Sequence, residues 1–286
     1  MATMRDVFFQ RVFELAKEDE KIIVVSADMG CPSLDQFQRA FPHRYISTGI
    51  AEQQTILVAS GLASLGFKVY CYAIAPFITL RCYEQIRVNC GMMKYPLVIV
   101  GVGGGFGYED SGATHHLLED IAVMKAIPDM DIFIPPDNNT AKMFAGLSYK
   151  DKKPCYIRLD RAEEEKDYET RWEENTIFTT GSMWKVAKEV AEELPELKLG
   201  YESILLINND FRSLEEKDKG KIFTVEEGFE GGLYASVKEV YPQAINLGIK
   251  SSQGYCYKYG GREEIRKYYG IDKESLKEKI RDYCKT

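Results

Sequence analysis

Residues 44–87 read RYISTGIAEQQTILVASGLASLGFKVYCYAIAPFITLRCYEQIR, and the reading of this stretch decides the fold. The chain breaks at Gly49, and from about Ala51 the apolar run Ile56-Leu57-Val58-Ala59 belongs to a helix expected over Glu52 to Leu65. Val69-Tyr70-Cys71-Tyr72 then reads as a short, continuously apolar strand, and a second helical stretch is expected from Thr79 to Met92. A strand without a polar alternation is covered on both faces, so helices must flank its sheet on both sides.

The same alternation extends in both directions. Met4 to Asp19 places Val7, Phe8, Val12, Phe13 and Ala16 at helical spacing, and Ile22-Ile23-Val24-Val25 reads as a buried strand. Further apolar strands are expected at Leu97 to Val100, Ile132 to Ile134 and Cys155 to Ile157, with a helix from Leu117 to Ala126. The charged run AEEEKDYETRWEEN, Ala162 to Asn175, reads as a linker. Beyond it a smaller alternation begins: helices at Met183 to Leu194 and Gly232 to Val240, strands at Ser203 to Ile207 and Ile222 to Val225. The expected fold class is α/β in two consecutive domains, 1–168 and 169–286, each a mostly parallel sheet with helices on both faces.

Composition narrows the function. The 286 residues carry 37 Lys+Arg against 44 Asp+Glu, a net charge of −7, with both signs interspersed. No basic face is available for a nucleic-acid backbone, so no nucleic-acid partner is expected. No apolar run approaches the ~20 residues of a membrane span, and no membrane partner is expected either. The 7 cysteines, at 31, 71, 82, 90, 155, 256 and 284, never form a CxxC pair, which argues against a zinc site and for reduced thiols in a cytoplasm.

Three segments could carry chemistry. VGVGGGFGYEDSG, residues 100–112, contains five glycines before its last residue pair but matches neither GxGxxG nor GxxxxGK[ST], so a nucleotide phosphate loop is not expected. Glycines directly after a strand still mark backbone that approaches something closely, and in an open α/β sheet that place lines a ligand site. Asp110-Ser111-Gly112-Ala113-Thr114-His115-His116 follows, gathering a carboxylate, two hydroxyls and two of the chain's 3 histidines at the expected entrance to a helix. Thr114 there can be an N-cap and His116 an exposed polar neighbour, whereas His115 suits proton transfer or a hydrogen bond to substrate. The third segment, Thr48 to Gln54, puts Glu52 in the first turn of a helix, where a carboxylate is favoured on electrostatic grounds alone.

These segments together resemble a known family. RYISTGIAEQQ through CYEQIR, followed by GATHHLLEDIAVMKAIPDMDIFIPPD, is similar to the pyrimidine-binding domain of transketolase, of 1-deoxyxylulose-5-phosphate synthase and of 2-oxoacid dehydrogenase beta subunits. VEEGFEGGLYASVKEV and INLGIKSSQGYCYKYGGREEIRKYYGI resemble the C-terminal domain of the same family. The resemblance implies that Glu52 faces the aminopyrimidine of thiamine diphosphate, where its carboxyl group favours the imino tautomer that accepts the thiazolium proton. It implies an aromatic ring stacked on the pyrimidine, with Phe77 the chosen residue and Tyr72 and Tyr83 the alternatives. Asp28 matches an acidic position near the thiazolium, and His115 the histidine that contacts substrate. Arg161 matches a position that binds substrate phosphate, a role suited to a guanidinium fork, while Arg158 is assigned to structure. His116, Asp110 and Ser111 complete the expected substrate loop.

Two departures follow from the same resemblance. The loop reads E-D-S-G where transketolases have E-D-G, so Ser111 takes the aligned place, and Gly103 to Gly105 replace positions that carry another substrate histidine. A smaller, dephosphorylated or nucleotide-linked substrate is therefore left open. The GDG…N sequence that holds the diphosphate and Mg²⁺ is also absent from the chain, so the resemblance implies a second subunit of a split transketolase. Its expected partner is an N-terminal transketolase subunit carrying the diphosphate-binding domain and most of the Mg²⁺ coordination, in an assembly of two copies of each chain. The expected activity is transfer of a two-carbon ketol unit between sugars or sugar phosphates, with no metal held by this chain. A component acting on a 2-oxo acid, and a non-catalytic module of the same fold, are the alternatives.

Overall fold

The computed structural model describes residues 2–161, 167–208 and 220–285. In the first half, α1 (Met4–Glu18) leads into β1 (Ile22–Ser26), α2 (Pro32–Ala40), β2 (Tyr45–Ser47), α3 (Glu52–Ser64) and β3 (Lys68–Ile74). Two short helices, α4 (Ala75–Thr79) and α5 (Tyr83–Ile86), and a π-helical turn, Arg87–Met92, precede β4 (Val98–Val102). Then come α6 (Asp120–Lys125), β5 (Asp131–Phe133), α7 (Asn138–Lys150) and β6 (Cys155–Leu159). The second half holds β7 (Asn175–Thr179), α8 (Met183–Glu193), β8 (Leu199–Ser203), β9 (Leu206–Ile207), β10 (Ile222–Val225), α9 (Leu233–Val240), β11 (Ile245–Asn246), α10 (Arg262–Tyr269) and α11 (Lys273–Lys285).

The first sheet has the order β2-β1-β3-β4-β6-β5-β9, parallel throughout except for β9, which runs antiparallel to β5. The second has the order β11-β10-β7-β8 and is parallel throughout. Successive side chains of each strand point to opposite faces, and the first sheet divides its core accordingly. Ile22 and Val24 of β1, with Tyr70 and Tyr72 of β3, pack under α1, α2 and α7. Ile23 and Val25, with Val69 and Cys71, pack under α3 to α6. That second layer also contains Phe178, Leu233, Val237 and Tyr241, so the two sheets share an apolar core rather than hanging on a linker.

Several expectations change at this level. The helix expected over Thr79 to Met92 begins only at Tyr83, as α5 and the π turn; Thr79 closes α4, and residues 80–82 form a tight turn in which the Cys82 N–H donates to the Thr79 carbonyl at 3.1 Å and the Tyr83 N–H to that of Leu80 at 3.4 Å. The strand expected over Ser203 to Ile207 is two strands in different sheets, β8 in the second and β9 closing the edge of the first. The helix expected from Leu117 begins only at Asp120, because Leu117 is paired with Gly105 in an antiparallel bridge. The first residues of the charged run, 162–166, lie outside the described residues; β6 ends before it and β7 begins at its last residue.

Candidate active site

From β1 the chain passes to β2 on one side and then to β3 on the other, so a crevice opens beyond the carboxyl ends of β1 and β3. Asp28 follows β1, Glu52 follows β2, Phe77 follows β3, the glycine loop follows β4, and Asp160 and Arg161 follow β6. The parallel sheet therefore delivers residues far apart in sequence to one edge.

Glu52 opens α3 after a turn in which Gly49 takes φ +68°. Its side chain is only 5% exposed, and Arg81 Nη1 donates to its Oε2 at 2.6 Å. The Arg81 guanidinium in turn lies 4.2 Å above the centre of the Phe77 ring. Residues four apart on a helical turn face the same side, which is how Phe77 and Arg81 come to stack. Phe77 meets His115 edge-on with ring centres 5.2 Å apart, and His115 lies 6.0 Å from the Tyr108 ring. Arg161 covers Tyr108 at 4.7 Å and donates to Asp110 Oδ1 at 3.1 Å. The Ser111 hydroxyl donates to the same oxygen at 3.0 Å. Ser111, and after it Arg161, hold the Asp110 carboxyl below its usual range.

Glu52, Phe77, His115, Arg161, Asp110 and Ser111 thus form one continuous line of contacts. Arg81 and Tyr108 complete it and are absent from the sequence expectations. The signal for Arg81 was its spacing from Phe77; nothing local marks Tyr108, whose ring fills the space left by the missing side chain of Gly103.

The other expected residues are placed differently. Asp28 is exposed beyond β1 in left-handed backbone, φ +50°, and no described contact links it to the Glu52–Phe77 pair. Tyr83 is half-buried against the core beneath α3, and Tyr72 is buried on the opposite face against Phe9. Of the three aromatic candidates only Phe77 faces the crevice groups. His116, expected in the substrate loop, is buried against Phe106 at 5.4 Å, and burial lowers its pKa below the ordinary imidazole value. Adjacent residues of the turn point in opposite directions, so His116 goes into the core while His115 faces out. Thr114 is no helix cap: α6 starts later, and the Thr114 hydroxyl lies 3.1 Å from His115 Nδ1.

The glycine loop also departs from its expected role. Gly103 to Gly105 are buried, and a Cβ at Gly104 would stand 2.7 Å from Arg158 Nε, one at Gly105 2.5 Å from Glu227 Oε2. These glycines admit protein side chains rather than a ligand. Arg158 is itself buried, donating to Asp120 Oδ2 at 2.7 Å and to the Glu227 carbonyl at 3.1 Å. Among the described residues, no cluster of three carboxylate, imidazole or thiol groups is placed to hold a metal ion.

Fold and site define a two-domain α/β protein with a carboxylate, an aromatic ring and an imidazole gathered at a topological switch point. Residues 1–165 match the family model described as the transketolase pyrimidine-binding domain. The chain is 30% identical to one subunit of the apulose-4-phosphate transketolase of Phocaeicola vulgatus, over 100% of this chain and 96% of that one. It is also 30% identical to a 1-deoxy-D-xylulose-5-phosphate synthase of Methylacidiphilum infernorum, over 96% of this chain but 48% of that one. Among solved structures, a split gene transketolase described as an inactive beta4 tetramer superposes with a TM-score of 0.82 at 24% identity, over 99% of this chain and 98% of that one. The chain belongs to the transketolase family and corresponds to its C-terminal section.

Proposed function

We propose that this chain is the C-terminal subunit of a split, thiamine-diphosphate-dependent transketolase, active only with a partner chain that binds the diphosphate and Mg²⁺. The observation that carries the reading is the Glu52–Arg81–Phe77 arrangement. A planar, nitrogen-bearing cation there meets the Glu52 carboxylate at one edge and stacks on Phe77 with its face. An aminopyrimidine makes the same two demands, and Arg81, 43% exposed, has room to turn into solvent and yield the place. Thiamine diphosphate bound there supplies the electron sink for cleavage of the ketose carbon–carbon bond. Glu52 would hold a proton against the pyrimidine nitrogen, Phe77 would fix the ring plane, and Asp28 would be the acidic group for the rest of the cofactor. His115 hydrogen-bonds the sugar oxygen at the reacting end, while Asp110, Ser111 and Arg161 receive the distal hydroxyls or phosphate.

The partner reading has its own support. Ile50 and Leu65, 79% and 75% exposed, flank α3 at its two ends, and Leu57, Met92 and Met93 are exposed as well, apolar side chains that a partner chain would cover. The apulose-4-phosphate relative, which matches end to end, is named as a subunit, whereas the synthase extends well beyond this chain. An assembly of two of each chain is the expectation that the resemblance carries. The free cysteines, six of them buried, support a cytoplasmic setting. Among the described residues no helix is long and apolar enough to cross a membrane.

The test is reconstitution with a chain carrying the GDG…N sequence. Thiamine diphosphate binding that appears only with that partner, and ketol transfer from a ketose donor such as a ketose phosphate, is expected. Decarboxylation of pyruvate instead would move the chain to the synthase branch, and no cofactor binding in any mixture would refute the enzyme reading.

A further inference from the structure

The segment that carries Asp110, Ser111 and His115 is fastened at both ends by the C-terminal domain. On its upstream side the Phe106 N–H donates to Glu227 Oε2 at 3.1 Å, and the Phe106 ring stacks on Tyr269 with centres 5.6 Å apart. Next, Glu109 Oε2 accepts the main-chain N–H of Arg262 at 3.0 Å. On its downstream side the Phe229 N–H donates to the Leu118 carbonyl at 2.7 Å, and the Tyr255 hydroxyl to Glu119 Oε1 at 2.5 Å. Between these fastenings the segment turns its polar side chains toward the crevice groups, and Leu117 pairs with Gly105, so its position is set from outside.

The upstream fastening is built from buried charge. Glu227 accepts from Arg262 Nη2 at 2.7 Å and from Arg266 Nε at 2.8 Å; Arg262 also grips Asp160 with both terminal nitrogens, at 2.9 and 2.7 Å. Burial alone would raise the Glu227 carboxyl, but Arg262 and Arg266 beside it bring it down to about 2. Neighbouring Glu226 has the reverse balance: burial raises it to about 8. With Glu226 protonated, Arg158, Arg262 and Arg266 face Asp120, Asp160 and Glu227, three charges against three. A buried network of this kind holds one geometry because any displacement leaves a charge unpaired.

We propose that Glu227 and Arg262 of the C-terminal domain are positioning residues for the Asp110–His115 segment, setting how well it meets the sugar without touching the sugar themselves. The kinetic half rests on the transketolase reading above; the structural half does not. A simple glue between domains would act through any contact, yet the Glu227 and Arg262 bonds go to the loop itself. Lys125–Glu239, an exposed pair at 2.6 Å that bridges the same two domains away from the loop, serves as the control.

The chain has 3 histidines, so histidine-labelled NMR reads His43, His115 and His116 individually. In the full chain, Glu227→Gln is expected to shift or broaden the His115 and His116 signals and leave His43 in place, while Glu239→Gln moves none of them. In the reconstituted complex with thiamine diphosphate and Mg²⁺, Glu227→Gln is expected to raise the KM for a ketose donor about tenfold with less than a threefold fall in kcat. Should Glu227→Gln fail to fold, Arg262→Lys, which keeps the charge but loses the fork, is expected to give the same signature with a cooperative melt. Unmoved His115 signals in a folded Glu227→Gln or Arg262→Lys chain overturn the proposal. Shifted signals in a chain whose wild type transfers no ketol unit uphold the positioning and refute the transketolase reading instead.

Discussion

Replacing Glu52 by Gln separates a chemical role from a structural one, because the two predict different sizes of effect. Glu52 is buried at the first residue of α3 and bonded to Arg81 at 2.6 Å, with Arg81 43% exposed. A buried charged hydrogen bond contributes about 1.5–3 kcal/mol, and solvent on the Arg81 side reduces this toward ~1 kcal/mol. Gln keeps an acceptor oxygen, and loss of the charge at the helix start costs a further ~0.3–1 kcal/mol. The expected destabilisation is therefore about 1–2 kcal/mol, a fall in melting temperature of a few degrees at ~2–4 °C per kcal/mol. A proton-exchanging group contributes about 10²–10⁴-fold to turnover, or roughly 3–5 kcal/mol of barrier. Turnover of the reconstituted complex at saturating thiamine diphosphate should fall at least a hundredfold while the chain melts within a few degrees of wild type. Activity within threefold of wild type would refute the assignment of Glu52, and a Gln variant that does not fold would show that the carboxylate is structural first.

Three further outcomes test the rest of the site. Phe77→Ala should weaken cofactor binding by up to about tenfold, since stacking contributes roughly 0.5–1.5 kcal/mol; titration with thiamine diphosphate in the presence of the partner reads it directly. Arg161→Ala should raise the KM for a phosphorylated sugar by about 10–100-fold, the equivalent of a charged hydrogen bond of ~1.5–3 kcal/mol; parallel assays with the unphosphorylated sugar should show a much smaller change. Glu226, whose folded pKa is raised to about 8, binds a proton in the folded chain that the unfolded chain has released above about pH 4.5. Stability should accordingly fall with rising pH between those limits, with a slope of up to ~1.4 kcal/mol per pH unit from this group, and flatten above about pH 8. Glu226→Gln should remove that slope in chemical denaturation measured from about pH 5 to 9, and an unchanged slope would show that Glu226 is ionised in the folded chain.

What could be read from the sequence follows the range over which each feature is determined. The parallel strands and their helices were legible because a buried strand needs only its own apolar run, as at Ile22–Val25 and Cys155–Ile157. Glu52 at the head of α3 was legible for the same local reason. The turn at 80–82 that separates α4 from α5 was not, since its Cys82-to-Thr79 and Tyr83-to-Leu80 bonds leave the apolar spacing intact. Nor was the crossing of β9 into the first sheet, which depends on pairing with Ile132 and Phe133 far upstream. The glycine loop shows the limit most clearly. Its composition signals a close approach, and a close approach is found, but the approaching groups are Arg158 and Glu227, the latter 121 residues beyond Phe106. A sequence pattern records that space is needed and not what fills it. The same conclusion bears on substrate choice. The glycines that the resemblance sets against a substrate histidine have missing side chains that accommodate the bonds fixing the neighbouring loop. On the reading proposed above, firmer placement of Asp110, Ser111 and His115 takes the place of that one direct contact, and substitutions at these three residues or at Arg161 are what should change substrate choice.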